Sequence, residues 1–422
     1  MLTAKRTPIR RRLAVRRAAN GPPWRAGKAG HAHIVASLLA GVAVTAATSA
    51  AVRAGVAAAV AERERRAARA RKERQRHFAL LPGESAGEGL KRMALAQLEL
   101  AIEMLAADNG TVSTSEAVHE ARKALKRLRA LLALLSDQLG EEMVDRDSDV
   151  LRRVGRRLAG PRDAEVLVAT LDDLVRRHQQ QLADRAAVRA LRQRLADERE
   201  RAAQPLGPAA PARTLSLSDL GILRARVSAW ELDPRLEIAA LEPAVRRVYG
   251  RGLRRFRRAR AGRGERAAAM HRWRKRVKEL RYVAEALSRF EPEQRWRDAV
   301  DSALPGRAQR RHDPPPRRAT FTRRLARRAD KLSEMLGAEH DLTVLEERVR
   351  AELLCRRDGD ARLLDLIDRR RKRLRRRALK RGKRLYRRSP KQLVRRLRAA
   401  YVAQAELSQP RSARDALTVR RT

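Results

Sequence analysis

The sequence predicts an all-α fold, and three observations carry the prediction. Apolar residues recur three and four positions apart over long stretches, which lines them along one side of a helix. Nowhere does the chain alternate apolar and polar residues over the length of a strand. And one helical stretch occurs twice, as VHEARKALKRLRALLALL at 118–135 and MHRWRKRVKELRYVAEAL at 270–287. Aligned on His119 and His271, the copies lie 152 residues apart. They share Arg122 with Arg274, Lys123 with Lys275, Lys126 with Lys278, Leu128 with Leu280 and Arg129 with Arg281.

On a helix, His119, Arg122, Lys123, Lys126 and Arg129 occupy a sector roughly 120° wide, while Val118, Ala121, Leu125, Leu128 and Leu132 face the other way. Like charges at this spacing repel and weaken a helix by roughly 0.2–0.5 kcal/mol per pair. A chain that keeps the arrangement twice has a use for it, and the use involves a multiply charged anion.

The elements follow in order. Residues 1–76 read as a basic tail: nine Lys or Arg and no acid up to position 33, an uncharged Ala-rich segment at 34–52, and a charged, helix-prone connector at 62–76. The segment 34–52 is long enough to cross a bilayer but only marginally apolar, so a membrane helix and a plain Ala-rich helix both stay open. The first half, 77–204, starts with a helix from Gly87 to Ala107 that turns Leu90, Met93, Ala94, Leu98 and Ile102 inward. After the repeat helix comes one from about Val144 to Ala159, ended by Gly160-Pro161. Another begins at Arg162-Asp163 and carries Val166, Leu167, Leu171 and Leu174, and a further one runs from Leu182 to Gln204. Helices joined by such short turns form an antiparallel bundle.

Pro, Ser and Gly mark 205–240 as a connector with a short helix in its middle. The second half, 241–405, repeats the plan: a helix from Leu241 to Ala261, the second repeat helix after Gly264, and a basic helical stretch over 361–405 interrupted near Pro390. Residues 406–422 read as tail. LAGPRDAEVL at 158–167 resembles LGAEHDLTVL at 336–345, pairing Asp163 with Asp341. Their separation of 178 residues implies an insertion, placed at 291–322 where PGRAQRRHDPPPRRAT breaks the helical period. The expected architecture is two helical bundles, duplicated four-helix units related by an internal pseudo-twofold. That symmetry would bring the two cationic faces together into one channel or cleft.

Charge narrows the partners. With 99 Lys+Arg against 50 Asp+Glu the net charge is +49, a field that concentrates nucleic acid, acidic lipid or polyphosphate. Aromatics make up only 3% of residues, which leaves few platforms for stacked bases and favours an anion with charge but no bases. The single cysteine, Cys355, excludes an internal disulfide framework.

Phosphate binding is the chemistry best matched to these residues. Arg offers paired donors for phosphate oxygens, Lys offers a compact charge, and an imidazole at the start of the stripe adds a donor. Metal ligation is not implied, because His119 and His271 lack an acid or second His at i+3 or i+4 on the same helix. Asp163 and Asp341, near helix starts, read as caps or as partners of a channel Arg. No P-loop, nucleophile elbow or CxxC occurs, and no cofactor is implied.

The histidine helices, with HEARKALKRLR and HRWRKRVKELRY, and the RDAEVL and HDLTVL segments resemble the CHAD family, the conserved histidine α-helical domain, over roughly residues 77–405. The resemblance implies two helical bundles around a basic central pore that binds inorganic polyphosphate without catalysis. It implies pore-lining roles for His119, Arg122, Lys123, Lys126, Arg129, His271, Arg274, Lys275, Lys278 and Arg281. YGRGLRRF is similar to a family segment and adds Tyr249, Arg251 and Arg255; LYRRSPKQLVRRLR at 385–398 is similar to a C-terminal one. The Glu-x-Glu-x-Lys strand of the triphosphate-tunnel domain carried by many relatives is missing, so no linked phosphohydrolase activity is implied.

The leading expectation is a non-catalytic polyphosphate binder, cytoplasmic and located at polyphosphate granules, with a membrane tether through 34–52 as a compatible variant. A nucleic-acid binder and, behind it, a metal-dependent phosphohydrolase are the alternatives.

Overall fold

Local signals set the helix ends. Ser85 and Glu88 close a capping box on α1 (Ala86–Ala106), and Ser113 accepts the Glu116 amide at the start of α2 (Thr114–Leu134). There follow α3 (Glu141–Arg157), α4 (Ala159–Arg177), α5 (Ala186–Ala203) and α6 (Pro211–Ser228). The later helices are α7 (Glu242–Ala261), α8 (Arg266–Ala286), α9 (Phe321–Arg356), α10 (Ala361–Leu385) and α11 (Pro390–Ser408). α7 ends at Gly262 with φ 66, a left-handed backbone that glycine adopts without a Cβ clash.

The computed structural model describes residues 78–408, apart from 82, 108–112, 183–184, 205–209, 263–264, 289–319 and 357–360. The basic arm, the segment 34–52, the connector 62–76, nearly all of the insertion 291–322 and the last fourteen residues of the tail lie outside the described residues. Among the described residues the fold is all-α, and no helix is long and apolar enough to cross a membrane.

Two hydrophobic cores form. The larger takes Leu90, Met93 and Leu98 of α1, Leu125, Leu128 and Leu131 of α2, Leu151 and Val154 of α3, and Val248, Trp273, Val277 and Leu280 of α7 and α8. The smaller joins Leu171 and Leu174 of α4, Leu191 and Leu195 of α5, Leu345 and Val349 of α9, and Leu366 and Ile367 of α10. α9 runs through both, with Leu332 and Leu336 in one and Leu342 and Leu345 in the other. Close approach at one point needs glycine: a Cβ on Gly382 of α10 would sit 2.6 Å from the Phe256 ring and 2.7 Å from Trp273.

Some boundaries differ from the sequence reading. The connector 205–240 holds an eighteen-residue helix, α6, whose Leu220, Leu223 and Val227 enter the larger core. Arg213 of α6 donates to the carbonyls of Leu105 and Ala107, satisfying orphan acceptors at the end of α1. Arg226 pairs at 2.9 Å with Asp147, which is fully buried in α3. The short helix expected in the middle of this connector is thus longer than the sequence suggested, and Pro211 stands in its first turn, where its missing N–H breaks no bond. The break between α3 and α4 falls at Leu158, leaving Gly160 and Pro161 inside the first turn of α4 for the same reason. Leu182, expected to start a helix, instead ends a single turn, Gln179–Leu182, and the helix itself, α5, begins at Ala186.

Candidate functional site

The repeat helices α2 and α8 pack side by side, each against its preceding helix, α1 and α7. Their apolar faces do this: Val118, Ala121, Leu125 and Leu128 of α2 and Trp273, Val277 and Leu280 of α8 are all buried. Arg127, on the apolar side of α2, is buried too. It donates to Gln97 of α1 and to Glu285 of α8, and its guanidinium lies 4.6 Å from the Phe78 ring centroid. The opposite faces of α2 and α8 are left to line a cavity of about 780 Å³, closed off by α3, α4, α7 and α9.

His119, Arg122, Lys126 and Arg129 of α2 line it, and so do His271, Arg274, Lys275 and Lys278 of α8 and Arg251 of α7. Four other candidates stand elsewhere. Lys123 turns aside to Glu120, 3.3 Å away. Arg281 is drawn to Glu285 at 2.6 Å and to Asp330 at the base of α9. Tyr249 is fully buried and donates to the carbonyls of Leu385 and Arg388, both at 3.1 Å, so it clamps α7 to the α10–α11 turn and does not reach the cavity. Burial pushes its hydroxyl up to about 12. Arg255 lies outside the lining, one turn beyond Arg251.

The wall also holds residues the sequence reading did not single out. Arg152 comes from α3 and Arg276 from α8. His340 of α9 stacks on His271 with ring centroids 4.2 Å apart and planes tilted by 44°. It stands next to Asp341 in the HDLTVL segment, so the match between the halves pointed at its position; the first half has Arg162 there, and no shared identity marked it.

In total the wall carries nine Lys or Arg side chains against three carboxylates, Asp163, Glu279 and Asp341. The carboxylates are themselves engaged or close to cations: Glu279 takes Arg251 at 3.1 Å and Arg276 at 2.7 Å, and Asp163 lies 3.7 Å from Arg122. Asp341 favours the charged form of Lys278. Among the described residues, no three His, Cys, Asp or Glu gather as a metal ion would need.

So many cations in a sheltered space disfavour one another. Burial, then the neighbouring Arg274 and Lys126, pull Lys278 down to about 7. Burial and the surrounding Lys275, Arg274 and Lys278 pull His271 down to about 4, and His340 falls to about 4 for the same reasons with His271 added. Nδ1 of His271 and Nε of Arg274 are buried without a hydrogen-bond partner. The wall is thus short of negative charge and of acceptor oxygens, both of which an anion would carry.

Aromatic side chains take no part in this surface beyond Tyr282. Phe78, Trp230, Tyr249, Phe256, Trp273, Tyr282 and Tyr386 are all buried, several in mutual contact such as Phe256 on Trp273 at 5.2 Å. Among the described residues none stands exposed as a stacking platform.

No curated protein matches the chain. The crystal structure of the CHAD domain from the plant Ricinus communis aligns at 18% identity with a TM-score of 0.44, over 74% of this chain and 95% of that one. The sequence profile of the CHAD domain matches residues 94–304, half of the chain, and the chain belongs to the CHAD family.

Proposed function

We propose that this protein binds inorganic polyphosphate in the cavity between α2, α8 and α9 and does not hydrolyse it. The observation that carries the reading is the wall itself: nine cationic side chains and three imidazoles, drawn largely from two repeated helices, facing one space with only three carboxylates. In this reading the cavity is the pore that an internal duplication builds, with the two cationic faces meeting across it.

Two features favour a polymer of phosphate over nucleic acid and binding over hydrolysis. Bases need aromatic or edge-on partners, and of the described Phe, Tyr and Trp side chains only the buried Tyr282 reaches the cavity wall. Phosphoryl transfer to water needs carboxylates free to hold divalent ions, whereas Glu279 is held by two guanidiniums and Asp163 lies beside a third. Binding of this kind would recruit the protein to cytoplasmic polyphosphate granules, with residues 34–52 as a further tether if they meet a membrane.

The test is a titration of the full chain with long-chain polyphosphate, with single-stranded DNA as competitor. Replacing Arg122, Lys126, Arg274 and Lys278 together by Gln should weaken binding about a thousandfold, at about 1.5 kcal/mol for each contact on α8 and roughly half that for each on α2. Unchanged affinity in that variant removes the proposed site. DNA displacing polyphosphate at equal phosphate concentration would favour the nucleic-acid reading, and Mg²⁺-dependent phosphate release would revive hydrolysis.

A further inference from the structure

The cationic surface does not stop at the cavity. α7 and α8 are packed neighbours joined by the turn at Gly262, and their facing rows run antiparallel. At the cavity end of the seam, Glu279 bridges Arg251 and Arg276, at 3.1 Å and 2.7 Å, and all three line the wall. Toward the turn the row continues with Arg254, Arg255 and Arg258 on α7 and Arg272 on α8, and among the described residues the one carboxylate at that end is the exposed Glu265 ahead of α8. Among the described residues none of these four has an ion-pair partner. Arg254, Arg258 and Arg272 are exposed. Besides its partial burial, Arg255 feels Arg258, Arg272, Arg276 and Arg254, which together hold its guanidinium below its ordinary range.

Charge of this kind is not simply what a basic chain does everywhere. The stretch 369–375 of α10 is equally rich in Arg, yet there Arg369 pairs with Asp365 at 2.9 Å, Arg370 with Asp173 at 2.8 Å, Lys372 with Asp368 at 2.7 Å and Arg375 with Glu339 at 2.6 Å, and Arg373 alone of its cations has no ion-pair partner among the described residues. On the α7–α8 seam the neighbours are like charges, and a run of unneutralised guanidiniums leading out of an anion-binding cavity is complementary to the same anion, extended. From Arg251 to Arg258 the helix rises about 10 Å, room for several further phosphate units.

We propose that a linear phosphate polymer too long for the cavity continues onto the seam between α7 and α8, where Arg254, Arg255, Arg258 and Arg272 hold it. The seam thereby makes the protein selective for long chains. This rests on the cavity reading given above, and the experiment separates the two. Wild type and the variant R255Q/R258Q/R272Q are titrated with tripolyphosphate and with long-chain polyphosphate at several salt concentrations. The variant should bind the long chain about tenfold more weakly, with the log–log salt slope smaller by about two, because about 0.7 counterions are released per phosphate contact. Tripolyphosphate, which fits inside the cavity, should bind both proteins alike. R272E alone, at an exposed position, should cause a long-chain loss of its own.

Undiminished long-chain affinity in the triple variant overturns the seam, and so does an equal loss for both lengths, which would mean these arginines act only by shaping the cavity. Loss of neither length in the cavity variant R122Q/K126Q/R274Q/K278Q overturns the cavity reading and the extension with it.

Discussion

The two repeat helices carry the same cationic pattern in different surroundings. On α2, Arg122 is already engaged: it donates to the Leu158 carbonyl at 2.7 Å and lies 3.7 Å from Asp163, while Lys123 is paired with Glu120. On α8, the matching Arg274 has a buried Nε without a partner, Lys275 stays in the cavity wall, and Lys278 is held down to about 7 by burial and its neighbours. His271 on this side leans on a second imidazole, His340. Identical residues at identical spacing thus differ in how well the protein itself satisfies them. What an anion gains from each depends on that deficit, because a group already hydrogen-bonded exchanges one partner for another while an unsatisfied one gains a partner outright.

The largest expected consequence is unequal loss of affinity between the halves. Arg274→Gln with Lys278→Gln should weaken polyphosphate binding about a hundredfold, and Arg122→Gln with Lys126→Gln about tenfold, given about 1.5 kcal/mol per unsatisfied charged contact and roughly half that for one already satisfied. Equal losses in paired titrations would break the contrast.

A smaller effect should come from pH. An anion beside Lys278 favours its charged form, so binding takes up a proton wherever the free protein holds that amine neutral, which is above about 7. Affinity should therefore fall as pH rises, by about tenfold between pH 6 and 8 for one coupled proton. Lys278→Arg should flatten that profile, since a guanidinium keeps its charge throughout. His271 and His340, neutral above about 4, would add proton uptake only in more acidic solution. A profile unchanged in the Lys278→Arg variant would place the titrating group elsewhere.

The smallest effect on binding is expected at Tyr249, which stands away from the wall. Tyr249→Phe removes a donor from two buried carbonyls and should cost about 1–2 kcal/mol of stability in denaturant unfolding. It should leave polyphosphate affinity within about twofold, since the phenol touches no cavity residue. A binding loss without a stability loss would put the hydroxyl in the site after all.

Much of this fold was readable from periodicity. α1, α2, α7, α8, α10 and α11 lie within a few residues of where apolar spacing, Gly264 and Pro390 put them, because long amphipathic stretches advertise the face they bury. α6 was less legible: Pro, Ser and Gly in 205–240 look like a linker, and only its packing on α1 and α3 reveals why Leu220, Leu223 and Val227 are apolar. Within the site, the repeat pointed to His119, Arg122, Lys126, Arg129, His271, Arg274, Lys275 and Lys278, all of them in the wall. The position of Lys123 and Arg281 on the same helical sector did not reveal that Glu120, Glu285 and Asp330 would draw them away.

By itself the sequence determined the helical class, the two cationic faces and the excess of positive charge, since each is a property of spacing or composition along the chain. Tertiary structure alone decided which of those cations share a cavity, that His340 joins His271 from a helix distant in sequence, and that Tyr249 serves the core. The physical reason is that charge pairing, burial and desolvation depend on neighbours brought from elsewhere in the chain, and no periodicity records who those neighbours are.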